Sequence, residues 1–184
     1  MHCMWKETSL FRGKIIEVVE KDIEGRKFEI ARRSPGVRII IRDGNKILIT
    51  KEYRYEHNSY DYRLPGGKVF DTLEEFNSKI KNNENIYSYA EKAAKNECKQ
   101  ETGLITKSIE LLTISKAGAT VERDLYYFLV HDFEKNENGQ ELEEWENITI
   151  EWKTLEEAKK LCLDWSIKED RSIGVLLKYI LNQK

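Results

Sequence analysis

Two glutamates near the middle of the chain have a spacing that brings their side chains together on one face of a helix. They are Glu97 and Glu101, in the segment AEKAAKNECKQETGL, residues 90–104. Two carboxylates four residues apart repel each other by about 0.2–0.5 kcal/mol in water. A divalent cation between them would reverse the sign of this interaction, and Mg²⁺ prefers such oxygen ligands. The alternative, which is the more common one for a glutamate pair alone, is a solvated helix face.

Small side chains in the same segment predict that this helix packs closely on another element. Ala90, Ala93, Ala94 and Cys98 recur at helical spacing and form one stripe, on a different face from the glutamates. Gly103 follows as a C-cap, because glycine adopts the left-handed conformation that ends many helices. The stripe is therefore predicted to pack on a neighbouring element and hold the helix in place, with the glutamates on another face.

The flanking segments predict the strands that must position this helix. KIIEVVEKDIEGRKFEIARR is typical of a hairpin that turns at Glu24-Gly25, and GVRIIIRDGNKILITKEYRY of one that turns at Asp43-Gly44. A short strand then leads into a Pro-Gly-Gly loop, and DTLEEFNSKIKNNENIYS predicts a short polar helix and a flexible stretch. SIELLTIS, DLYYFLVHDF and ITIEW are predicted strands, with the acidic loop EKNENGQELEEWEN before the last of them.

Two capping boxes predict the helices near the C-terminus. Thr154 with Glu157 begins one helix, and Ser166 with Glu169 begins the amphipathic helix that follows. The order of strands, helix, strands and helices favours an α/β (α+β) fold with helices against a mixed sheet. No repeat or linker is visible, so residues 1–184 are predicted to form one domain.

Composition excludes several classes of function. The chain has 184 residues, 31 Lys plus Arg and 33 Asp plus Glu, and a net charge of −2, which gives no electrostatic footprint for nucleic acid. No apolar run approaches the roughly 20 residues of a membrane span. The three cysteines form no C-x-x-C pair, which argues against zinc and disulfides and predicts a reduced, cytoplasmic setting.

The glutamate helix resembles the signature of the Nudix hydrolases, G-x5-E-x7-R-E-U-x-E-E-x-G-U, in which U is a bulky aliphatic residue. Its last part falls on Glu97, Cys98, Gln100, Glu101, Gly103 and Leu104. LPGGK, residues 64–68, resembles the opening of that box, with Gly67 as the first glycine. The segments ITKEYRYE and SKAGATVERDLYYFLV, and the C-terminal tail, resemble the ADP-ribose pyrophosphatase branch. The resemblance implies a Nudix fold with a mixed sheet sandwiched between helices.

The sequence departs from this signature at several positions. Residues 68–88 form an insert within the box, and Ser88, Asn96 and Gln100 occupy the positions of its first glutamate, its arginine and the first paired glutamate. These changes favour, as an alternative, a weakened Nudix-fold module that binds a nucleotide without cleaving it. A nucleoside triphosphate pyrophosphohydrolase of the same family is the third hypothesis. The branch also implies an N-terminal β-hairpin extension over residues 1–34 and a homodimer formed through it.

The resemblance implies a Mg²⁺-dependent enzyme, with Mn²⁺ as a possible substitute, that hydrolyses a nucleoside diphosphate linked to another group. ADP-ribose or a nucleotide sugar is the expected class of substrate. Glu97, Glu101 and the carbonyl of Gly66 would hold the metal, and Gln100 offers a further neutral oxygen.

The remaining site residues are expected on neighbouring segments. Arg54 is the predicted phosphate clamp, because a guanidinium meets two phosphate oxygens at once, although a surface strand charge explains it equally well. Arg63 and Gly67 would also contact the substrate. In the branch the base that activates water is a glutamate on a loop after the box. Of the acidic-loop residues Glu141, Glu143, Glu144 and Glu146, Glu144 fits that pattern best.

Overall fold

The computed structural model describes residues 6–55 and 58–183, which fold into two sheets and four helices. The strands are β1 Lys6–Arg12, β2 Ile16–Ile23, β3 Arg26–Arg33, β4 Gly36–Asp43, β5 Lys46–Arg54, β6 Ser59–Arg63, β7 Leu104–Ser115, β8 Val121–Glu122, β9 Leu125–Lys135 and β10 Ile148–Thr154. The helices are α1 Leu73–Lys81, α2 Ile86–Thr102, α3 Leu155–Leu163 and α4 Asp170–Leu181.

The larger sheet is mixed and has the strand order β10-β5-β4-β9-β7, with β6 paired to β5. β4 and β9 are parallel along residues 36–41 and 125–130, and the other pairings in this sheet are antiparallel. The central strand β4 contains Val37, Ile39, Ile40 and Ile41, and its first six residues are buried, as expected for a strand covered on both faces.

Helices cover both faces of this sheet. Val37, Ile39 and Ile41 point from β4 towards the alanine stripe of α2, and Ile40 points to the opposite face against α3 and α4. Each of these side chains is fully buried, and the burial of one stabilises the fold by about 1.5–3 kcal/mol. The predicted mixed sheet between helices is confirmed.

The N-terminal segment forms a second sheet, in the order β1-β2-β3-β8. Its core is the predicted hairpin: β2 and β3 pair in register around Glu24 and Gly25, which have φ of 54° and 82°. The structure extends this hairpin with β1 on one side and the short parallel strand β8 on the other. Residues 1–5 of the predicted 1–34 extension lie outside the described residues.

Two details of the sequence-based prediction are corrected. The turn between β4 and β5 consists of Gly44 and Asn45, because Asp43 still pairs with Lys46. α2 begins at Ile86, four residues earlier than the predicted segment, because the side chain of Asn85 caps it by accepting the Tyr87 N–H at 3.1 Å. Its predicted end at Gly103, with φ of 67°, is confirmed.

The two predicted capping boxes have different outcomes. Thr154 and Glu157 form a complete capping box at the start of α3. The second box, Ser166 with Glu169, is wrong, because Glu169 itself is the N-cap of α4 and makes no side-chain capping bond. Its carboxylate binds Arg38 instead. Within the described residues, no helix combines the length and the apolar character needed to cross a bilayer.

Candidate active site

The two glutamates of α2 face the glycine turn that precedes the insert. The N–H of Gly66 donates to Glu101 Oε2 at 2.7 Å. Gly67 lies against the other glutamate, since a Cβ built on it would come within 1.9 Å of Glu97 Oε1. The structure therefore brings together two parts of the signature that residues 68–88 separate in the sequence.

The turn requires glycine because it lies directly on β4. Gly66 has φ of 146°, and a Cβ there would be 2.2 Å from the carbonyl oxygen of Val37. The N–H groups of Val37 and Ile39 donate to the carbonyls of Gly67 and Pro65 at 3.0 and 2.9 Å. These bonds pair the backbone of the turn with β4. They do not involve the Gly66 carbonyl.

Burial and neighbouring carboxylates disfavour negative charge on both glutamates. Burial, with the charge of Glu146 next in importance, raises the pKa of Glu97 to about 7. Burial, followed by the charge of Glu97, raises the pKa of Glu101 to about 8. The guanidinium of Arg38 opposes both shifts without cancelling them. In the metal-free protein, ionisation of both carboxyl groups is therefore unfavourable near neutral pH.

These donors fit a hard divalent cation. Two carboxylates and a nearby backbone carbonyl provide only oxygen ligands, which suit Mg²⁺ or Mn²⁺. Among residues 6–55 and 58–183, no group of three or more His, Cys, Asp or Glu side chains forms a cage for a metal. An incomplete protein set is the usual arrangement for Mg²⁺, which keeps several waters and takes further ligands from substrate phosphates.

The glutamates line an open cleft of about 640 Å³. Gln100, Arg54, Arg63, Gly66 and Gly67, all predicted site residues, line the same cleft. Glu52 on β5 holds the two arginines, because its Oε1 accepts from Arg54 at 2.7 Å and its Oε2 from Arg63 at 3.1 Å. Strands β5 and β6 thus present a pair of guanidinium groups to one side of the cleft.

The acidic loop is fixed over the C-terminal end of α2. The N–H of Glu141 donates to the Gln100 carbonyl at 2.8 Å, and the side chain of Gln140 donates to the Glu101 carbonyl at 2.5 Å. Gly103 permits this approach, since a Cβ there would be 2.8 Å from the Gly139 carbonyl carbon. The last carbonyls of the helix are satisfied by the loop that carries the candidate bases.

The position of Glu144 does not favour its predicted role. Glu144 and Trp145 are the central residues of a turn closed by the N–H of Glu146 donating to the Glu143 carbonyl at 2.9 Å. Glu144 is exposed and is not among the cleft residues, whereas Glu143 and Glu146 line the cleft. The cleft therefore contains both ends of this turn and not Glu144, which favours Glu146 over Glu144 as the candidate base.

Sequence reasoning missed a buried ion pair beside the site. Arg38 on β4 is 3 % exposed and donates from Nε and Nη2 to the two carboxylate oxygens of Glu169 at 2.7 and 2.8 Å. Although burial opposes ionisation, the bonds from Arg38 lower the pKa of Glu169 to about 2. The available signal was the arginine inside the apolar run GVRIII, because a buried charge needs a partner. The partner, 131 residues away, could not be identified from spacing.

The residues at the divergent signature positions lie on the exposed side of α2. Ser88 and Asn96 are exposed, and Asn96 faces the cleft. Asn96 cannot supply the positive charge that the signature has at this position. Arg38 on β4 provides a positive charge in place of the signature arginine, because its charge lowers the pKa values of both glutamates.

Comparisons with known proteins agree with this architecture. The NUDIX domain model matches residues 32–172. The ADP-ribose pyrophosphatase of Bacillus subtilis (strain 168) is 27 % identical over 159 residues, covering 83 % of this chain and 78 % of the relative. A crystal structure described as an ADP compounds hydrolase has the same fold, with a TM-score of 0.67 and 17 % identity over 98 % of this chain and 92 % of the other.

The family match covers most of the chain and includes the glycine turn, α2 and the acidic loop. The predicted Nudix fold is confirmed by the structural match. The predicted resemblance to the ADP-ribose pyrophosphatases is confirmed by the family model and the Bacillus subtilis relative. The chain belongs to the Nudix family.

Proposed function

We propose that this protein hydrolyses the pyrophosphate of a nucleoside diphosphate linked to another group, with ADP-ribose or a nucleotide sugar as the class of substrate. One observation carries the proposal: Glu97 and Glu101 lie together against Gly66 and Gly67 in the wall of an open cleft. The name of the Bacillus subtilis relative, ADP-ribose pyrophosphatase, supports the choice of substrate class.

Glu97 and Glu101 would hold Mg²⁺, or Mn²⁺ in its place, with the Gly66 carbonyl and Gln100 as further oxygen donors. When bound, the metal neutralises phosphate charge and lowers the pKa of a coordinated water. The N–H of Gly66 fixes the Glu101 carboxylate, so that one of its oxygens has a defined position. Arg54 and Arg63, which both bind Glu52 and line the same cleft, would orient the phosphates.

Glu146 is our candidate for the base that removes a proton from the attacking water. It lies in the cleft, and its charge raises the pKa values of both Glu97 and Glu101, which places it within electrostatic reach of the metal ligands. The N–H of Glu143 donates to Glu146 Oε2 at 2.9 Å and orients the carboxylate. Glu144, the residue that the sequence pattern favours, remains the comparison variant.

The test is incubation of the protein with ADP-ribose and a panel of nucleotide sugars, with Mg²⁺ and separately with Mn²⁺. We expect release of nucleoside monophosphate, detected by chromatography, and no release in the presence of EDTA. Binding of panel members without any turnover at high enzyme concentration would favour a non-cleaving nucleotide-binding module. Preferential cleavage of nucleoside triphosphates would favour a nucleoside triphosphate pyrophosphohydrolase.

We also infer a homodimer and a reducing, cytoplasmic setting. Leu10 and Phe11 on β1 and Phe28 on β3 are exposed on the N-terminal sheet, which supports the expected association through that segment. Cys98 and Cys162 are buried free thiols, and burial raises the pKa of each to about 11, so both are unreactive. Light scattering of the purified protein tests the oligomeric state.

A further inference from the structure

A second cavity, of about 600 Å³, lies beside the active-site cleft. Its walls are the N-terminal sheet, the insert helix α1 and residues 116–124, and we call it the distal cavity. Arg123, between β8 and β9, lines both spaces. A ligand anchored at the glutamates could therefore extend past Arg123 into the distal cavity.

The insert helix is fixed in place as a wall of this cavity. The side chain of Asn77 on α1 donates to Glu17 Oε1 at 3.2 Å, and Glu17 is fully buried in β2. The Leu73 N–H donates to the Lys14 carbonyl at 3.1 Å. The cavity is therefore part of the folded structure, because the segment that distinguishes this chain from the simple signature is bound to the N-terminal sheet.

The side chain of Arg123 is poorly satisfied by the protein. Among the described residues, its Nε is the buried side-chain nitrogen or oxygen that has no hydrogen-bond partner. Burial, together with the charges of Arg33, Arg38 and Arg171, lowers the pKa of Arg123 to about 10. A buried donor without an acceptor destabilises the fold, and an anionic ligand would supply the missing acceptor.

The distal cavity has an excess of positive charge. Six cationic and three acidic side chains line it, whereas six cationic and eight acidic ones line the cleft. Two of the three acids, Glu7 and Glu122, are bound to Arg32. Within residues 6–55 and 58–183, four cations of the distal cavity have no ion pair: Arg33, Lys81, Lys116 and Arg123.

Apolar side chains form another part of the cavity wall and restrict the ligand further. Phe76 and Ile80 of α1, with Tyr126 of β9, line the same cavity. A ligand that matches both walls carries a phosphate or similar dianion on a body with apolar or planar surface, such as a nucleoside. Free phosphate would leave the apolar wall without a contact.

We propose that the distal cavity binds a phosphate monoester that the substrate carries outside its pyrophosphate, with Arg123 joining this subsite to the cleft. This inference rests on the proposed function and adds a substrate preference to it. The preferred substrates would be nucleoside diphosphate derivatives with one further phosphate group on the part that extends beyond the metal site.

Matched pairs of substrates that differ by one phosphate monoester test the inference. NADPH with NADH and coenzyme A with dephospho-coenzyme A are such pairs. We expect kcat/KM to be at least ten times higher for the phosphorylated member of one pair or both. Lys116→Gln and Arg33→Gln should lower this ratio at least threefold, and Lys107→Gln, an exposed lysine of β7 outside both cavities, should preserve it.

A ratio near one for both pairs in the wild-type protein would overturn the inference, as would a ratio that Lys116→Gln and Arg33→Gln leave unchanged. The same pairs bound to Glu101→Gln, measured by calorimetry, give the ratio without turnover. Absence of hydrolysis of every nucleotide by the wild type refutes the proposed function, whereas equal affinities within each pair refute the subsite. Adenosine 2′,5′-bisphosphate should compete with NADPH; activation of ADP-ribose hydrolysis by it would indicate a separate effector and overturn the proposal.

Discussion

Gly67 and Glu97 are in contact across the break in the signature, with the Glu97 carboxylate in the space that a Cβ on Gly67 would occupy. Gly67→Ala should therefore displace this carboxylate, which is the flexible end of a side chain, and leave the backbone in place. We expect hydrolysis to fall by about 100-fold, the usual cost of misplacing a catalytic group by about 1 Å, with a nearly unchanged melting temperature.

Two other glycines provide controls for this variant. Gly66→Ala should destabilise the fold, since its Cβ would meet the Val37 backbone at a φ of 146°. Gly174→Ala, in the open interior of α4, should retain activity and add about 1 kcal/mol of stability. Full activity in Gly67→Ala would show that Glu97 does not need its observed position.

Glu101→Gln separates catalysis from stability. The amide keeps the size of the side chain but removes the charge that a metal needs, so we expect kcat/KM to fall by about 100-fold or more. Metal-free Glu101→Gln should melt at the same temperature as the wild type at pH 8, or at a higher one, because a buried carboxylate no longer has to ionise. Glu91→Gln, on the exposed side of the same helix and paired with Lys95, is the matched control. Undiminished turnover in Glu101→Gln would remove its role as a metal ligand.

The stability of the metal-free protein should fall as the pH rises. The pKa values of Glu97 and Glu101 are about 7 and 8 in the folded state and about 4.5 in the unfolded state. Between these values the folded protein binds more protons, so this contribution is complete below pH 4.5 and is lost as the pH rises through 7 and 8. Urea unfolding from about pH 5 to 9, in EDTA, measures the slope.

Mg²⁺ should reverse this dependence, because it binds the ionised pair and releases protons near pH 7. Calorimetry in two buffers of different ionisation enthalpy counts the released protons. The double variant Glu97→Gln, Glu101→Gln should show a flatter pH profile and no proton release. An identical profile in the double variant would assign the slope to other groups.

Glu169→Gln should destabilise the protein by about 3 kcal/mol, because it leaves the buried guanidinium of Arg38 without its carboxylate. The pKa of Glu169 is about 2, so the pair stabilises the fold above pH 4.5 and this contribution is lost only as the pH falls towards 2. Chemical unfolding measures the difference. Glu156→Gln, which removes an exposed partner of Lys159 at 3.7 Å, should change stability by less than about 0.5 kcal/mol.

Glu146→Gln should reduce kcat much more than Glu144→Gln, since a general base contributes about 10²–10⁴-fold and only Glu146 lies in the cleft. Steady-state kinetics of both variants at saturating Mg²⁺ give the comparison. The reverse order of effects would restore Glu144, and equal small effects would place the base elsewhere on the acidic loop.

Local patterns predict the elements that local chemistry determines. The hairpin at Glu24-Gly25, the helix end at Gly103 and the capping box of Thr154 and Glu157 each depend on residues close in sequence, and each is present. Glu169 shows the limit of such patterns, because it fits a capping box locally but forms a stronger bond to Arg38, 131 residues away.

The site is predictable to the extent that it follows the signature. The spacing of Glu97 and Glu101 and the pair of glycines identify the metal-site candidates from the order of residues alone. The direction of a loop side chain depends on the turn that carries it, and for this reason the sequence pattern favours Glu144 where the turn geometry favours Glu146. Arg123 has no sequence signal of its own, since its unsatisfied Nε results from burial among other arginines.

The part of the insert that lies outside α2 runs from Lys68, directly after the glycine turn, to Asn85, the cap of α2. Hydrogen bonds to β4 hold the first point, and packing of the alanine stripe holds the second, so neither depends on what lies between them. Residues 68–85 can consequently change in length or composition while the reacting groups keep their positions. In a protein built this way, changes in the insert can alter which substrates are accepted without altering which bond is hydrolysed.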